Sequence, residues 1–160
     1  NLERIIFFMS FYIFVNSASY DHNDKVVRAP EIFSYRMKNN AFPLYYRTKH
    51  KKNLKPDDSI IFYLAGSIVK KTQRFIAYGK IKDIKVDQYY DEEDVHSSLP
   101  IEKVVRLKSI VEGKNSVSIY DVKDKLSFIS KKKKWGSSMQ GGVIRITEQD
   151  YNLLVKEMNK

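Results

Sequence analysis

The sequence predicts a small α+β fold, in which five or six short strands form a curved, mostly antiparallel sheet with helices at its periphery. Three observations predict it. Short runs of β-branched and aromatic residues alternate with turn residues, one run changes its alternation phase partway along, and the chain closes with an amphipathic helix. A chain of 160 residues fits one domain with a substantial core. We expect that domain at residues 10–160, with residues 1–9 as an N-terminal extension of the first strand.

The first predicted strand is an apolar run from Ile5 to Val15, whose composition favours a strand buried on both faces. The run is also similar to a secretory signal, because an arginine precedes it and small residues follow it. Glu3 weakens that interpretation, since such a signal starts with positive charge. The run is about half of the roughly 20 residues that cross a bilayer. We therefore expect a cytoplasmic protein with no membrane partner.

The next segment predicts a helix followed by a loop. Pro30 suits a first helical turn, and Asn39 and Asn40 end the helix. Residues 41–55 mix aromatic residues with cations and show no clear period, which predicts a long functional loop.

The remaining strands are predicted at residues 59–64, 74–86, 104–107, 117–119 and 143–146. Within 74–86 the apolar positions change phase near Lys82 and Asp83, which indicates a β-bulge and hence a bend in the sheet. Residues 121–128 favour one or two helical turns. Thr147 is the expected N-cap of the last helix, whose apolar face runs from Tyr151 to Met158.

Charge points to a polyanionic partner. The net charge is +10, and binding of a basic surface to phosphates releases condensed counterions. The positive charge is regional: residues 41–85 carry eleven Lys and Arg against three acids, whereas residues 87–94 carry five acids. DNA or RNA is therefore the expected class of partner, and a protein partner is also possible.

Catalytic and metal-binding motifs are not found in the sequence. There is no cysteine, and the three histidines lie far apart in sequence. Neither a nucleophile elbow, a phosphate-binding glycine loop nor a zinc-binding motif occurs. The acids at 91–94 fit a solvated loop better than a cation site. We expect no enzyme activity, catalytic residue, metal or cofactor.

Aromatic residues next to cations are the remaining signal, as in Tyr45-Tyr46-Arg47 and Lys133-Lys134-Trp135. A base stacked on an aromatic side chain gains about 1–3 kcal/mol, and neighbouring cations attract the backbone. This mixture suits single-stranded or flipped nucleotides, although Trp135 also fits a role as a residue that covers the sheet.

Several motifs in order resemble the EVE domain, a branch of the PUA-like superfamily related to YTH domains. They are YIFVN at 12–16, FPLY at 42–45, LKPDDSIIFYLAG at 54–66, FIAYGKI at 75–81, LSFI at 126–129 with KKKKW at 131–135, and then Arg145 and Tyr151. Asp57 stands where the family has glycine, so the turn must adopt a conformation that aspartate tolerates. Phe42 stands where the family has tryptophan, which keeps an aromatic surface without the indole donor.

The resemblance implies a PUA-like curved β-barrel with a base-binding pocket between the end of the first strand and the 41–48 segment. Asn16 and Thr48 are then candidates for the hydrogen-bonding edge of a modified or flipped base. The candidates for stacking are Phe42, Tyr45, Tyr63 and Trp135. From charge, the candidates for phosphate contact are Arg47, Lys49, Lys131, Lys132, Lys133 and Lys134.

The expected function is therefore a nucleic-acid-binding module that recognises a modified or flipped base. Two alternatives stay open at this point. Some PUA-like relatives are hydrolases or ribonucleases, and a basic face also suits an adaptor that binds an acidic protein.

Overall fold

A computed structural model describes residues 9–21, 23–66, 72–86, 101–130 and 132–160. The elements in chain order are β1 (Phe11–Asn16), β2 (Ser19–Tyr20), β3 (Val26–Val27), α1 (Ala29–Lys38), β4 (Ala41–Tyr45), β5 (Ser59–Leu64), β6 (Arg74–Val86), β7 (Ile101–Ser118), α2 (Ile119–Val122), a 3₁₀ segment (Lys132–Met139), β8 (Val143–Ile146) and α3 (Glu148–Met158).

Six strands form one curled, mostly antiparallel sheet in the order β4-β7-β6-β5-β1-β8. Only the β1–β5 pair within this sheet is parallel, and β2 and β3 pair separately as a small antiparallel ribbon. The β6–β7 register shifts three times, once between Ile81 and Asp83, where the sequence predicts a bulge. Because bulges increase local twist, these shifts explain the curl. The predicted fold class is confirmed.

Strand β1 is buried on both faces, as its sequence predicts. Tyr12 and Phe14 join a core cluster with residues of α1 and β4, whereas Ile13 and Val15 join a second cluster with residues of α3. Burial of each such side chain contributes about 1.5–3 kcal/mol to stability. The alternation fixes β1 in the sheet and thereby fixes where its last residue lies. The part of the predicted strand before residue 9 lies outside the described residues.

Residues 41–45 form a strand, so the prediction of a loop over 41–55 is wrong for its first part. Phe42 and Leu44 are buried, and Pro43 is tolerated because β4 is an edge strand. The predicted strands at 104–107 and 117–119 are two ends of one strand, β7, with Ile119 already in α2. Between those ends the strand is largely exposed, which removes the apolar pattern that marks a strand.

Other local predictions are confirmed. Helix α1 has proline in its first turn, and the Thr147 hydroxyl caps α3 by accepting the Asp150 N–H at 3.1 Å. Asp57 has a φ of 70°, a left-handed conformation that aspartate tolerates. Helical turns are predicted at 121–128, and helix α2 ends at Val122, so it covers only the first two of these residues. The acidic stretch at 91–94 lies outside the described residues.

No helix in the described ranges has the length and apolarity that a membrane crossing needs.

Candidate functional site

Two cavities lie on either side of the end of β1. Cavity A, of about 240 Å³, is lined on its own side by Ile32, Arg36, Phe42, Tyr45 and Thr48. Cavity B, of about 580 Å³, is lined on its own side by Tyr63, Gln73, Trp135, Met139 and Gln140. Val15, Ser17 and Gly142 line both cavities and form a shared wall.

The base-pocket candidates from the sequence divide between these cavities. Phe42, Tyr45 and Thr48 line cavity A, and Tyr63 and Trp135 line cavity B. The structure therefore brings five of the six candidates to one region, as two adjoining cavities instead of one pocket.

Asn16, the sixth candidate, is fully buried and lines neither cavity. Its Nδ2 donates to the Tyr63 carbonyl at 3.2 Å, and its Oδ1 accepts a hydrogen bond from Arg36 Nη1 at 3.0 Å. Both ends of the amide are thus used inside the protein. The geometry therefore gives Asn16 a role in supporting the cavity wall. The sequence predicts a different role, a contact with the edge of the base.

Arg36 is a cavity residue that the sequence reasoning missed. Only 6% of the residue is exposed, and its guanidinium carbon lies 4.7 Å from the centroid of the Phe42 ring. Arg36 lies four residues after Ile32 and three after Phe33, so it shares their buried helix face. A cation on an apolar helix face is the signal that could have found it. It places a positive charge and hydrogen-bond donors at the wall of cavity A.

The turn after β4 fixes the position of Thr48. Its hydroxyl accepts the Tyr45 N–H at 2.9 Å, and its own N–H donates to the Tyr45 carbonyl at 3.0 Å. The Thr48 hydroxyl proton is left to donate, so the turn presents a defined hydrogen-bonding group at cavity A.

Gly142 contributes backbone to the shared wall, and the preceding Gly141 lines cavity B. The φ angles of Gly141 and Gly142 are 99° and 79°, which L side chains rarely adopt. Gly142 O accepts the Val15 N–H at 2.8 Å, and Gly141 O accepts the Lys49 N–H at 3.0 Å. A Cβ on Gly141 would lie 2.6 Å from Lys49 Cδ. The wall is therefore held to both β1 and the turn of cavity A.

Cavity B is lined by aromatic side chains. Tyr63 is 1% exposed, its ring centroid lies 4.8 Å from that of Phe75, and its hydroxyl has no hydrogen-bond partner among the described residues. Burial first, and then the nearby Tyr120, raise the pKa of the Tyr63 phenol far above its ordinary value. Trp135 is partly exposed and meets Tyr120 edge to face, with centroids 5.6 Å apart.

The phosphate candidates differ in what their charges do. Arg47, Lys49, Lys133 and Lys134 are exposed. Lys132 Nζ instead donates to two backbone carbonyls, at 2.7 and 3.0 Å, so two of its three donors hold the chain around the 3₁₀ segment. Lys131 lies outside the described residues.

A third cavity, cavity C, of about 310 Å³, brings the predicted phosphate candidate Lys49 together with Arg145, which the sequence reasoning did not assign to phosphate. Lys49, His50 and Arg145 line it, and Gln140 lines both cavity C and cavity B. Partial burial first, and then the charges of Arg145 and Lys49, lower the pKa of His50. The Lys49-His50 pair and the distant Arg145 thus meet beside cavity B, with the positive charge on Lys49 and Arg145.

Comparison with known proteins follows this geometry. A family model described as EVE domain matches residues 36–157. A Bacillus licheniformis protein, the UPF0310 protein in gntR 5'region, is 32% identical over 112 residues, covering 68% of this chain and 71% of that protein.

Two solved structures share the fold. The N-terminal domain of Staphylothermus marinus McrB has a TM-score of 0.59 at 10% identity, covering 92% of this chain and 94% of that one. Human THYN1, in complex with 5-methylcytosine-containing DNA, has a TM-score of 0.59 at 13% identity, covering 94% of this chain and 98% of that one.

Proposed function

The chain belongs to the EVE domain family, and we propose from that premise that it binds nucleic acid and holds a modified or flipped DNA base in cavity A. It acts in this proposal as a binding module and not as an enzyme. The complex of THYN1 with 5-methylcytosine-containing DNA supports DNA as the partner. The observation that carries the proposal is the wall of cavity A, where a buried guanidinium packs against the ring of Phe42.

The size of cavity A fits a single ring system. Its volume of about 240 Å³ lies below the range of roughly 300–1,000 Å³ that holds a drug-sized ligand. A base must leave the duplex to enter such a cavity, which costs a few kcal/mol and is repaid by contacts inside it.

The lining of cavity A suits the polar edge and the face of a base. Arg36 brings guanidinium donors for a carbonyl oxygen or a ring nitrogen, and the hydroxyls of Ser17 and Thr48 donate or accept. Tyr45 is half-buried, so its ring is accessible for stacking. Ile32 and Phe42 provide apolar surface for a methyl substituent.

Cations beside the cavities supply binding affinity that does not depend on the nucleotide sequence of the ligand. Lys49 has its side chain against Gly141, next to the shared wall, and Arg47 is exposed in the same turn. Contacts of such cations with phosphates position the strand, while the cavity reads the base. Binding should therefore weaken steeply as salt rises.

Fluorescence anisotropy titrations test this function. The probes are matched single- and double-stranded DNA oligonucleotides containing cytosine, 5-methylcytosine or 5-hydroxymethylcytosine, with an RNA of the same sequence as a further arm. We expect a modified DNA to bind at least several-fold more tightly than its unmodified match, and Tyr45→Ala and Thr48→Val to remove that preference.

Tyr46→Ala is the matched control, because Tyr46 is 71% exposed and follows Tyr45 directly without lining either cavity. It should leave the preference intact. Equal binding of all probes, unchanged by Tyr45→Ala, would contradict the proposal. Tighter binding of the RNA would contradict its choice of DNA.

A further inference from the structure

We infer that cavity B is a second binding site, which takes the unpaired nucleobase next to the one held in cavity A. This inference rests on the proposed function and adds to it a second recognised position in the strand. Cavity B combines an unsatisfied buried hydroxyl, an accessible aromatic platform and two amide side chains, and it adjoins cavity A through the shared wall.

The hydroxyl of Tyr63 is the first argument. It belongs to a residue that lines cavity B, is buried, and lacks a partner among the described residues. A buried polar group without a partner lowers stability, and such groups in native proteins call for an explanation. A ligand atom that hydrogen-bonds to this phenol would supply the missing partner. Burial raises the pKa of this phenol well above its ordinary value, so the hydroxyl stays protonated and available as a donor.

Trp135 supplies the platform. Its indole is partly exposed and lines cavity B, while Tyr120 meets it edge to face. The contact with Tyr120 orients the indole before a ligand arrives. Aromatic side chains held in this way stack on any base, because every base has a π face.

The polar lining favours a heteroaromatic ring over a purely apolar one. Gln73 and Gln140 bring amides to cavity B, and Gln73 Nε2 is oriented by its hydrogen bond to the Gly66 carbonyl at 2.9 Å. Amides both donate and accept, as do the edges of nucleobases. A phenol, two amides and an indole match a planar ring with a polar edge.

The position of cavity B indicates the neighbouring base in the same strand. Val15, Ser17 and Gly142 separate the two cavities by a single wall, so rings bound on its two sides belong to adjacent nucleotides more readily than to distant ones. Cavity C meets cavity B at Gln140, and its Lys49 and Arg145 provide positive charge for the strand's phosphates.

The test uses Trp135 as a reporter, because it is the single tryptophan of the chain. Single-stranded oligonucleotides carry the base preferred in the anisotropy titrations, with either normal flanking bases or an abasic site on its 5′ or 3′ side. Anisotropy of a labelled oligonucleotide reports total binding, and Trp135 fluorescence reports cavity B. We expect quenching with normal flanks, and loss of quenching with roughly tenfold weaker binding when one particular flank is abasic.

Tyr63→Phe separates ligand recognition from folding. Removal of an unsatisfied hydroxyl should leave the melting temperature unchanged or higher, yet weaken binding of the normally flanked oligonucleotide about three- to tenfold. Binding of the oligonucleotide with the abasic flank should not change. Tyr46→Phe, which alters an exposed phenol that lines neither cavity, is the matched control and should preserve both signals.

The possible failures are distinguishable. Two results overturn the second site without contradicting the site in cavity A. One is binding seen by anisotropy while Trp135 fluorescence stays unchanged. The other is equal affinity for the normal oligonucleotide and for both abasic ones. Quenching by free nucleosides without any difference between flanks also overturns the second site, by showing a site for a free heteroaromatic molecule. Failure of every oligonucleotide to bind overturns the proposed function together with this inference.

Discussion

Replacing Asn16 with alanine should destabilise the protein and weaken binding, although Asn16 does not touch the proposed ligand. The side chain is fully buried and makes hydrogen bonds of 3.0 Å with the Arg36 guanidinium and 3.2 Å with the Tyr63 carbonyl. A hydrogen bond to a charged group contributes about 1.5–3 kcal/mol and a neutral one about 0.5–1.5 kcal/mol. We therefore expect a loss of about 2–4 kcal/mol in the free energy of unfolding.

Urea unfolding followed by circular dichroism measures this loss. Asn115→Ala is the control, because its amide donates to the backbone oxygen of the exposed Lys160, and we expect a change within about 0.5 kcal/mol. Binding of the modified oligonucleotide should fall as well, since Arg36 loses the group that orients it.

Two results would refute this reasoning. Stability of Asn16→Ala within about 0.5 kcal/mol of the wild type would show that the buried amide does not hold the wall. Loss of binding at unchanged stability would instead support the prediction from the sequence that Asn16 contacts the base directly.

Three further predictions concern stability and pH. Asp58→Asn should lower the free energy of unfolding, measured with urea, by about 1–3 kcal/mol. The fully buried carboxylate accepts hydrogen bonds from the backbone N–H groups of Ser10 and Lys55 and from the Lys55 ammonium. A loss below about 0.5 kcal/mol would contradict this reasoning. His50 has a pKa in the folded protein below its ordinary value of 6.5, so the unfolded chain binds more protons in this range. The melting temperature should therefore fall as the pH drops from about 6.5 through the folded pKa. His50→Gln should flatten that decline, and an unchanged profile would exclude His50 as its source. Thr147→Ala should cost about 1 kcal/mol and Thr147→Ser much less, and equal losses would argue against the N-cap.

Local patterns in the sequence predicted much of the sheet. The two-sided burial of β1 follows from its β-branched and aromatic composition, and the phase change before Asp83 marks a register shift of β6. Such features depend on neighbours in sequence, so a pattern reveals them. Strand β4 was missed because Pro43 and adjacent cations suggest a loop, whereas its place at the sheet edge makes the proline acceptable.

The site was only partly predictable, because contacts between distant residues shape it. The resemblance to EVE domains led to Phe42, Tyr63 and Trp135, but the division into two cavities depends on Gly142 meeting Val15 across the β1–β8 edge. The roles of Asn16 and Arg36 depend likewise on a hydrogen bond between a strand end and a helix. Tertiary packing alone creates these relations.

The most direct test of base binding in cavity A is an NMR titration of ¹⁵N-labelled protein with a 5-methylcytosine oligonucleotide and its unmodified match. The account predicts that the amide signals of Ser17, Thr48 and Gly142 shift most with the modified oligonucleotide and much less with its match. Identical shifts with both, or shifts confined to exposed lysines such as Lys133 and Lys134 while these three amides stay in place, would contradict it.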